Sequence, residues 1–366
     1  MVSKKAYASR MGRLREALAD EGLGGVVVVP GPNMKYLTGV ESLMLERPIM
    51  LMVPSSGEPQ LVSPELEAGP YRGSPTEMQV HAWTDSMGSA GAIASASKAA
   101  GVEGRWGAEG RVPFLYVDRL RKAANPELTD AEPLLQGLRE VKDEEEVALL
   151  KKSAKILSRS FEEFPELIKE GRTELEIARR ATDLIYSNGG TKVDDMLVQS
   201  GERAANPHGL PSSKKVRKGE GVIIDVGTTY EGYYADITRT YTLGKAKELE
   251  GVYEKVLEAE EGAIGEAKVG ARVGKVDGAA RGTLKKAGMG KFFIHRTGHG
   301  LGLEVHEAPY IVERGKERLR EGMCFTVEPG VYIKGRLGVR IEDNLIMGSG
   351  KAMVTTDAPK EFGWWK

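Results

Sequence analysis

Apolar and polar positions along the first third of the chain follow two periods, one typical of helices and one of buried strands. Apolar residues recur at helical spacing over 11–23, and a β-branched run at 25–30 follows directly. Strand and helix patterns continue to alternate after this point, which is typical of an α/β domain. We expect a turn at 31–33, further strands at 48–53, 61–63 and 104–109, and further helices at 86–100 and 113–124.

The pattern changes near residues 133–142, where an acidic cluster at 143–146 opens a long amphipathic helix. Acidic side chains suit the positive end of a helix dipole, so this cluster predicts a helix start. Long helices and β-rich stretches then alternate, which is typical of an α+β domain. Helices are expected at 142–168, 173–187, 246–268 and 272–288, and β-rich stretches at 194–199, 220–243, 323–333 and 338–347. We therefore predict an α/β domain over 1–135 and an α+β domain over 136–366.

Composition limits the classes of partner. The 366 residues give room for two domains. Lys plus Arg number 52 and Asp plus Glu number 53, a net charge of -1 that provides no footprint for nucleic acid or an anionic membrane. The apolar runs are far shorter than the roughly 20 residues of a membrane span, and the first residues lack the apolar core of a signal peptide. A cytoplasmic location is the expectation.

Cysteine and histidine counts limit the metal chemistry. The single cysteine, Cys324, forms no intrachain disulfide and provides no thiolate cluster. The chain has five histidines, so a transition-metal site must rely mainly on carboxylates.

Four acidic residues lie where the pattern predicts apolar strands. Asp225 and Asp236 fall on the two strands of a predicted hairpin, Glu328 ends a β-branched run, and Glu342 follows Arg340 on a further predicted strand. An isolated buried charge costs several kcal/mol or more, so each acid needs a partner. Taken singly, each acid is compatible with a buried salt bridge or a turn cap. Taken together, they indicate ligands of one buried cationic centre.

Three histidines lie in motifs that fit the same centre. His299 stands between glycines in 298–302, His306 follows seven residues later, and His208 lies in a turn at 206–209. Four carboxylates and one imidazole suit two adjacent divalent ions, Mn²⁺ or Co²⁺ above all, with Zn²⁺ also compatible. Bridging carboxylates would hold such ions about 3.5–4 Å apart, with a bridging water or hydroxide as the nucleophile.

These motifs, in this order, resemble the pita-bread metallopeptidases, the superfamily of Xaa-Pro dipeptidase (prolidase), aminopeptidase P, methionine aminopeptidase and creatinase. Segment 33–39 resembles the N-terminal domain of the prolidase and aminopeptidase P branch, which methionine aminopeptidases usually lack. The resemblance implies a creatinase/prolidase-like α/β domain followed by an α+β pita-bread catalytic domain. It is carried by 200–208, the two aspartates, 298–309, 326–330 and 339–343.

The resemblance also implies a ligand set. In it, Asp225 binds one of two divalent ions, Asp236 and Glu342 bridge both, and His299 and Glu328 complete the second.

Further roles follow from the same resemblance. His306 is expected to stabilise the tetrahedral intermediate, and His208 to contact substrate or handle a proton. Glu328 is expected to accept or pass protons, and Arg340 either orients a ligating aspartate or forms an ordinary cross-strand ion pair. Arg314 is the candidate for binding the carboxylate of a dipeptide, with a solvated surface charge as the alternative. His81 and His295 have no clear family role and are expected to be structural or surface residues.

The implied activity is hydrolysis of the Xaa-Pro bond, most simply in dipeptides. The alternatives are an aminopeptidase P acting on longer peptides, a creatinase-like hydrolase, and a non-catalytic pita-bread binding module. The resemblance implies a homodimer in which the N-terminal domain shapes access to the active site. The pair Trp364–Trp365 is expected either at an interface or as a cap on the protomer's own sheet.

Overall fold

The computed structural model describes residues 2–362, so the pair Trp364–Trp365 lies outside the described residues. Contacts divide the chain into two compact units, Met1–Arg139 and Glu140–Lys366, whereas the sequence suggested a division at 135/136. Within residues 2–362, the helices are all too short or too polar to cross a membrane.

A single mixed sheet organises the first unit. Its helices and strands are α1 (Lys4–Asp20), β1 (Gly25–Val28), α2 (Pro32–Thr38), β2 (Met50–Pro54), β3 (Gln60–Pro64), α3 (Ala68–Arg72), β4 (Gln79–Trp83), α4 (Ala90–Ala100), β5 (Arg105–Ala108), α5 (Phe114–Ala124), β6 (Glu127–Asp130) and α6 (Glu132–Glu140). The strand order is β4-β3-β2-β1-β5-β6. Strand β1 pairs in parallel with β5 and antiparallel with β2, and its four residues are buried.

Three local predictions in this unit differ from the structure. The turn expected at 31–33 is wrong, because α2 begins at Pro32, where a proline is tolerated since the first helical turn has no partner for its N–H. Helix α1 begins at Lys4, with the Ser3 hydroxyl accepting from the amide of Ala6 at 3.2 Å. Strands β4 and β6 lack an apolar pattern because they form the two edges of the sheet and are partly exposed.

The second unit contains three separate sheets among its helices. Its elements are α7 (Glu144–Glu163), α8 (Glu174–Ser187), β7 (Lys192–Ser200), β8 (Gly221–Tyr230), β9 (Tyr233–Thr242), α9 (Lys247–Glu266), α10 (Val273–Lys286), β10 (Gly298–Gly300), β11 (Glu307–Ile311), β12 (Cys324–Val327), β13 (Gly330–Ile333), β14 (Leu337–Arg340), β15 (Asp343–Met347) and β16 (Ala352–Val354). The sheets have the orders β7-β8-β9, β11-β10-β12-β15-β16 and β13-β14. Helices α7 and α8 each begin with a capping box, at Asp143 and Thr173.

The β8–β9 hairpin is joined to the two-residue segment between β14 and β15. Glu342 forms an isolated bridge with Thr238. It therefore lies between β14 and β15, whereas the sequence suggested a position inside a strand. Next to this bridge, Arg239 donates to the carbonyl oxygen of Glu342 at 2.6 Å and to Asp343 Oδ1 at 2.7 Å. It also donates to the carbonyl oxygen of Ala358 at 2.8 Å. One buried guanidinium therefore holds three chain segments together.

Replacing Arg239 by methionine is expected to lower the free energy of unfolding by about 3–5 kcal/mol, because it removes the buried donor to the carbonyl oxygens of Glu342 and Ala358 and leaves Lys360 as the remaining cation beside the buried carboxylate of Asp343. The measurement is denaturant unfolding followed by circular dichroism. The matched control is Arg336→Met, which breaks an exposed pair with Glu248 and is expected to change stability by about 1 kcal/mol or less. If both variants lost the same free energy of unfolding, the stabilising role assigned to the buried Arg239 would be contradicted.

Candidate functional site

A cavity of about 540 Å³ in the second unit brings together most of the site residues that the sequence suggested. Arg314 is exposed, has a left-handed φ of 61°, and is not one of the described residues on the cavity wall. His81 lies on β4 in the first unit, where its Nε2 is 2.8 Å from Gln60 Oε1. The predicted residues on the wall are His208, Asp225, Asp236, His299, His306, Glu328, Arg340 and Glu342.

The β8–β9 hairpin places its two aspartates on one face. Asp225 pairs across the strands with Thr238, and Asp236 lies two residues from Thr238 on the same strand. Side chains two residues apart on a strand share a face, as do directly opposed residues. Asp236 is buried and the Asp225 side chain is 16% exposed, so both carboxylates lie at the cavity and not in bulk water.

Two further segments complete the acidic wall. Ligand atoms of Asp236, His299 and Glu342 all lie within 4.8 Å of one another. Glu328 follows the last residue of β12, and its Oε1 is 3.4 Å from His299 Nε2. The five residues of the expected ligand set therefore meet from four different stretches of the chain.

The glycines on either side of His299 are required by close strand packing. A Cβ on Gly298 would lie 1.9 Å from the carbonyl oxygen of Thr326, and one on Gly300 would lie 2.1 Å from that of Ala308. His299 Nδ1 lies 3.1 Å from the carbonyl oxygen of Gly300. A carbonyl oxygen only accepts, so Nδ1 carries the proton and Nε2 keeps its lone pair toward the cavity.

His306 is exposed and lies on a loop beside His299. A buried ion pair next to His306 fixes this loop. The two ring centroids are 4.2 Å apart. The next residue, Glu307, is 3% exposed and accepts from Lys142 Nζ at 2.6 Å, and the lysine side chain is 1% exposed. This buried pair limits the movement of the loop and so of the exposed imidazole.

Arg340 connects the ligand residues to one another. Its Nη2 donates to Asp225 Oδ2, its Nη1 donates to the Tyr332 hydroxyl at 2.6 Å, and its Nε donates to Thr238 Oγ1 at 3.2 Å. Thr238 in turn donates to Glu342 Oε2 at 2.7 Å. The orientation of two carboxylates thus depends on one buried guanidinium.

His295 lines the cavity and continues this network. Its Nε2 is 2.9 Å from the Tyr332 hydroxyl, and its Nδ1 is 2.7 Å from the carbonyl oxygen of Arg296. Burial, with the nearby charge of Arg340, lowers the pKa of His295 to about 4, so the ring is neutral and Nε2 accepts from the tyrosine.

Burial and mutual repulsion govern the charges of the cluster. Burial raises the pKa of Glu342 well above its usual value, and the carboxylates of Asp236, Glu328 and Asp225 add to the rise. Burial also raises the pKa of Glu328 to about 7, where Arg340 opposes the rise and Asp225 adds to it. The pKa of His299 lies well below its usual value because of burial and the neighbouring His306.

These donors fit divalent metal ions. Oxygen ligands with a single imidazole suit Mn²⁺, Co²⁺ or Zn²⁺, and the neutral Nε2 of His299 is in the form that binds a metal. A divalent cation would reverse the repulsion that raises the pKa of Glu342 and Glu328. The single guanidinium of Arg340 does not offset four acids by itself.

Sequence reasoning gave no site role to His295, which lines the cavity, and missed two further residues on or behind the wall. Arg296 lines the cavity, half-buried, with its guanidinium 4.7 Å from the ring centroid of Tyr310. Tyr332 accepts from Arg340 from behind. Both lie within a few residues of a motif residue, Arg296 near His299 and Tyr332 near Glu328, which is the only local signal that pointed to them.

Comparison with known proteins gives the family. Metallopeptidase family M24 matches residues 148–349, and the Creatinase/Prolidase N-terminal domain matches residues 10–141. A probable dipeptidase PepE from Mycobacterium tuberculosis is 35% identical over 363 residues, which cover 98% of this chain and 96% of that protein. These matches extend over both units of the chain.

Solved structures agree with this assignment. Recombinant prolidase from Thermococcus sibiricus has a TM-score of 0.92 at 38% identity, with 97% of this chain and 98% of that chain covered. An X-Pro aminopeptidase from Thermotoga maritima has a TM-score of 0.85 at 30% identity, with 96% and 98% covered. The expected creatinase-type N-terminal domain and pita-bread catalytic domain are confirmed. This chain belongs to metallopeptidase family M24.

Proposed function

We propose that this metallopeptidase hydrolyses the Xaa-Pro bond of dipeptides with two divalent ions. The observation that carries the proposal is the convergence of four carboxylates and one neutral imidazole on a cavity of about 540 Å³. An Xaa-Pro bond is a tertiary amide without an N–H group, so a peptidase that cleaves it needs dedicated contacts. The similarity to a prolidase over nearly the whole chain supports this substrate class.

Five residues would hold the two ions in this proposal: Asp225, Asp236, His299, Glu328 and Glu342. Ions held there would polarise the scissile carbonyl and make a water molecule acidic enough to attack it at neutral pH.

The remaining polar residues handle protons and orientation. Glu328, whose carboxylate lies at the cavity beside His299, would accept a proton from the attacking water and pass it to the leaving proline nitrogen. His306 would donate a hydrogen bond to the developing oxyanion, and His208, on another loop of the cavity wall, would contact the substrate. Arg340 keeps Asp225 and, through Thr238, Glu342 in place.

Arg296 is the better candidate for binding the carboxylate of a dipeptide than Arg314. It lies on the cavity wall, whereas Arg314 is exposed elsewhere. Its charge also reaches the site, since it opposes the rise in the pKa of Glu328. A free carboxylate after proline would pair with this guanidinium, which favours dipeptides over longer chains.

Aminopeptidase P activity is the second candidate, and the similarity to an X-Pro aminopeptidase supports it. The two activities differ in the length of peptide accepted after proline. A creatinase-like hydrolase or a non-catalytic module has less support, because the expected ligands are all present on one wall.

Removing divalent ions with a chelator is expected to abolish hydrolysis of an Xaa-Pro dipeptide, and Mn²⁺ or Co²⁺ is expected to restore it. Asp236→Asn should lower kcat/KM by about 100-fold or more and reduce the bound metal, because it removes a metal ligand. The measurements are turnover and elemental analysis, with the exposed Asp183→Asn as control. Activity that survives chelation would favour a creatinase-like hydrolase. Less than one bound ion per chain under loading conditions would favour a non-catalytic binding module.

Replacing Arg296 by glutamine is expected to raise KM for an Xaa-Pro dipeptide about tenfold to a hundredfold, the value of a charged hydrogen bond. The same dipeptide with an amidated carboxyl end should show little change, since it has no charge to lose. The matched control Arg314→Gln should behave like the unsubstituted chain.

The same assay separates the two candidate activities. If the unsubstituted chain cleaves Xaa-Pro-Xaa peptides more efficiently than dipeptides, aminopeptidase P is the activity. If Arg314→Gln and not Arg296→Gln raises KM, the carboxylate assignment made from the sequence is the correct one.

We also propose a homodimer in which the N-terminal domain shapes access to the active site, as the family resemblance implies. Light scattering at micromolar concentration is expected to give twice the chain mass. A monomer under these conditions would contradict the proposal.

A further inference from the structure

The loop at 201–212, between β7 and β8, carries two residues of the cavity wall. His208 and Leu210 both line the cavity, yet both are exposed, so few neighbours hold their side chains directly. We propose that Glu174, a fully buried carboxylate that does not line the cavity, is the positioning residue that fixes this loop and with it His208. The inference rests on the proposed function, in which His208 contacts the substrate.

Glu174 accepts five hydrogen bonds from the two ends of the loop. Its Oε1 accepts from the amide of Ser200 at 2.8 Å and from the Ser200 hydroxyl at 2.9 Å. Its Oε2 accepts from Arg203 Nε at 3.1 Å. The same oxygen accepts from the amide of Ser212 at 3.0 Å and from the Ser212 hydroxyl at 2.7 Å. Since Ser200 ends β7 and Ser212 lies further along the connection to β8, one carboxylate joins the two ends of segment 201–212.

Further hydrogen bonds fix the residues that follow His208. Arg203, fixed by Glu174, also donates from Nη2 to the carbonyl oxygen of Leu210 at 2.8 Å. Gln199 donates from Nε2 to the carbonyl oxygen of Gly209. The backbone on the C-terminal side of His208 is therefore tied to the base of the loop, and the imidazole projects from a fixed stretch of chain.

Helix capping does not explain a buried acid at this position. The start of α8 is capped by Thr173 and Glu176, which form a capping box. Glu176 interacts with the helix end while exposed to water, so its charge costs little to keep. The Glu174 side chain is 0% exposed, and a buried carboxylate is costly unless its hydrogen bonds are satisfied. The loop satisfies them.

Glutamine is the most informative substitution, because it keeps the shape of the side chain and replaces one of the two accepting oxygens by a donating amide group. All five contacts are donors, and a carboxylate oxygen only accepts. An amide nitrogen placed on either side of the group would face the N–H of Ser200 or of Ser212. Glu174→Gln must therefore break the closure at one end of the loop.

The test measures hydrogen exchange, bound metal and kinetics in the metal-loaded full chain. Glu174→Gln is expected to increase amide exchange over 201–212 and to lower kcat/KM for an Xaa-Pro dipeptide about tenfold to a hundredfold, as a displaced site group does. Bound metal should stay unchanged, because the contacts of Glu174 avoid the ligand residues. Ser212→Ala removes the hydroxyl that donates to Glu174 and accepts from the amide of Lys214, and keeps the other four donors to the carboxylate. It should give smaller changes in the same direction and covers the case in which Glu174→Gln fails to fold.

Two comparisons separate positioning from general destabilisation. Glu176→Ala removes the side-chain half of the capping box on the same helix and should lower stability without changing exchange over 201–212. In a His208→Ala background, Glu174→Gln should cost little further activity, because a residue that acts through His208 has nothing left to position.

The outcomes are distinguishable from failure of the proposed function. Unchanged exchange over 201–212 in both loop variants would overturn the positioning role, and so would a full additional loss of activity in the His208→Ala background. If the unsubstituted chain does not cleave Xaa-Pro bonds, the proposed function fails, and the exchange comparison still decides whether Glu174 fixes the loop.

Discussion

Repulsion among buried carboxylates is the constraint on which the rest of the site depends. Asp225, Asp236, Glu328 and Glu342 share one cavity, where burial first and then the neighbouring carboxylates raise the pKa of Glu328 and Glu342. Desolvated like charges at such spacing are unstable without a cation. Metal ions supply that cation in this family, and Arg340 supplies only part of it. The fold must therefore hold the acids close together against their own repulsion.

Strand pairing and buried hydrogen bonds supply that restraint. The β8–β9 hairpin fixes two aspartates on one face, and the bridge of Thr238 with Glu342 fixes a third acid beside them. Arg239 ties the same bridge to the segment near Ala358 from behind. Strands are suited to this task because their side chains alternate between faces, so a carboxylate on the cavity side leaves the core side apolar.

The histidines are held in a different way. His299 lies on a short strand packed so closely that its glycine neighbours admit no side chain. His306 and His208 stand on exposed loops, and each loop is tied to a buried acid, Glu307 and Glu174 respectively. Exposed loops are mobile unless such ties restrain them. A buried tie beneath an exposed imidazole leaves the ring open to substrate and limits its movement.

The sequence by itself determined the long helices and the β8–β9 hairpin of the catalytic unit, the segments that meet at the site and the family, because strand period, helix caps and acids on apolar strands are local signals. It did not predict the short strands β10, β11 and β16. It did not reveal the edge strands β4 and β6, and it suggested Arg314 where the structure places Arg296 on the wall. Nor did it reveal that Glu174 joins the two ends of segment 201–212, the far end lying 38 positions away. The local pattern of apolar and polar residues predicts burial and spacing along the chain. Contacts between side chains that are distant in sequence depend on the path of the folded chain.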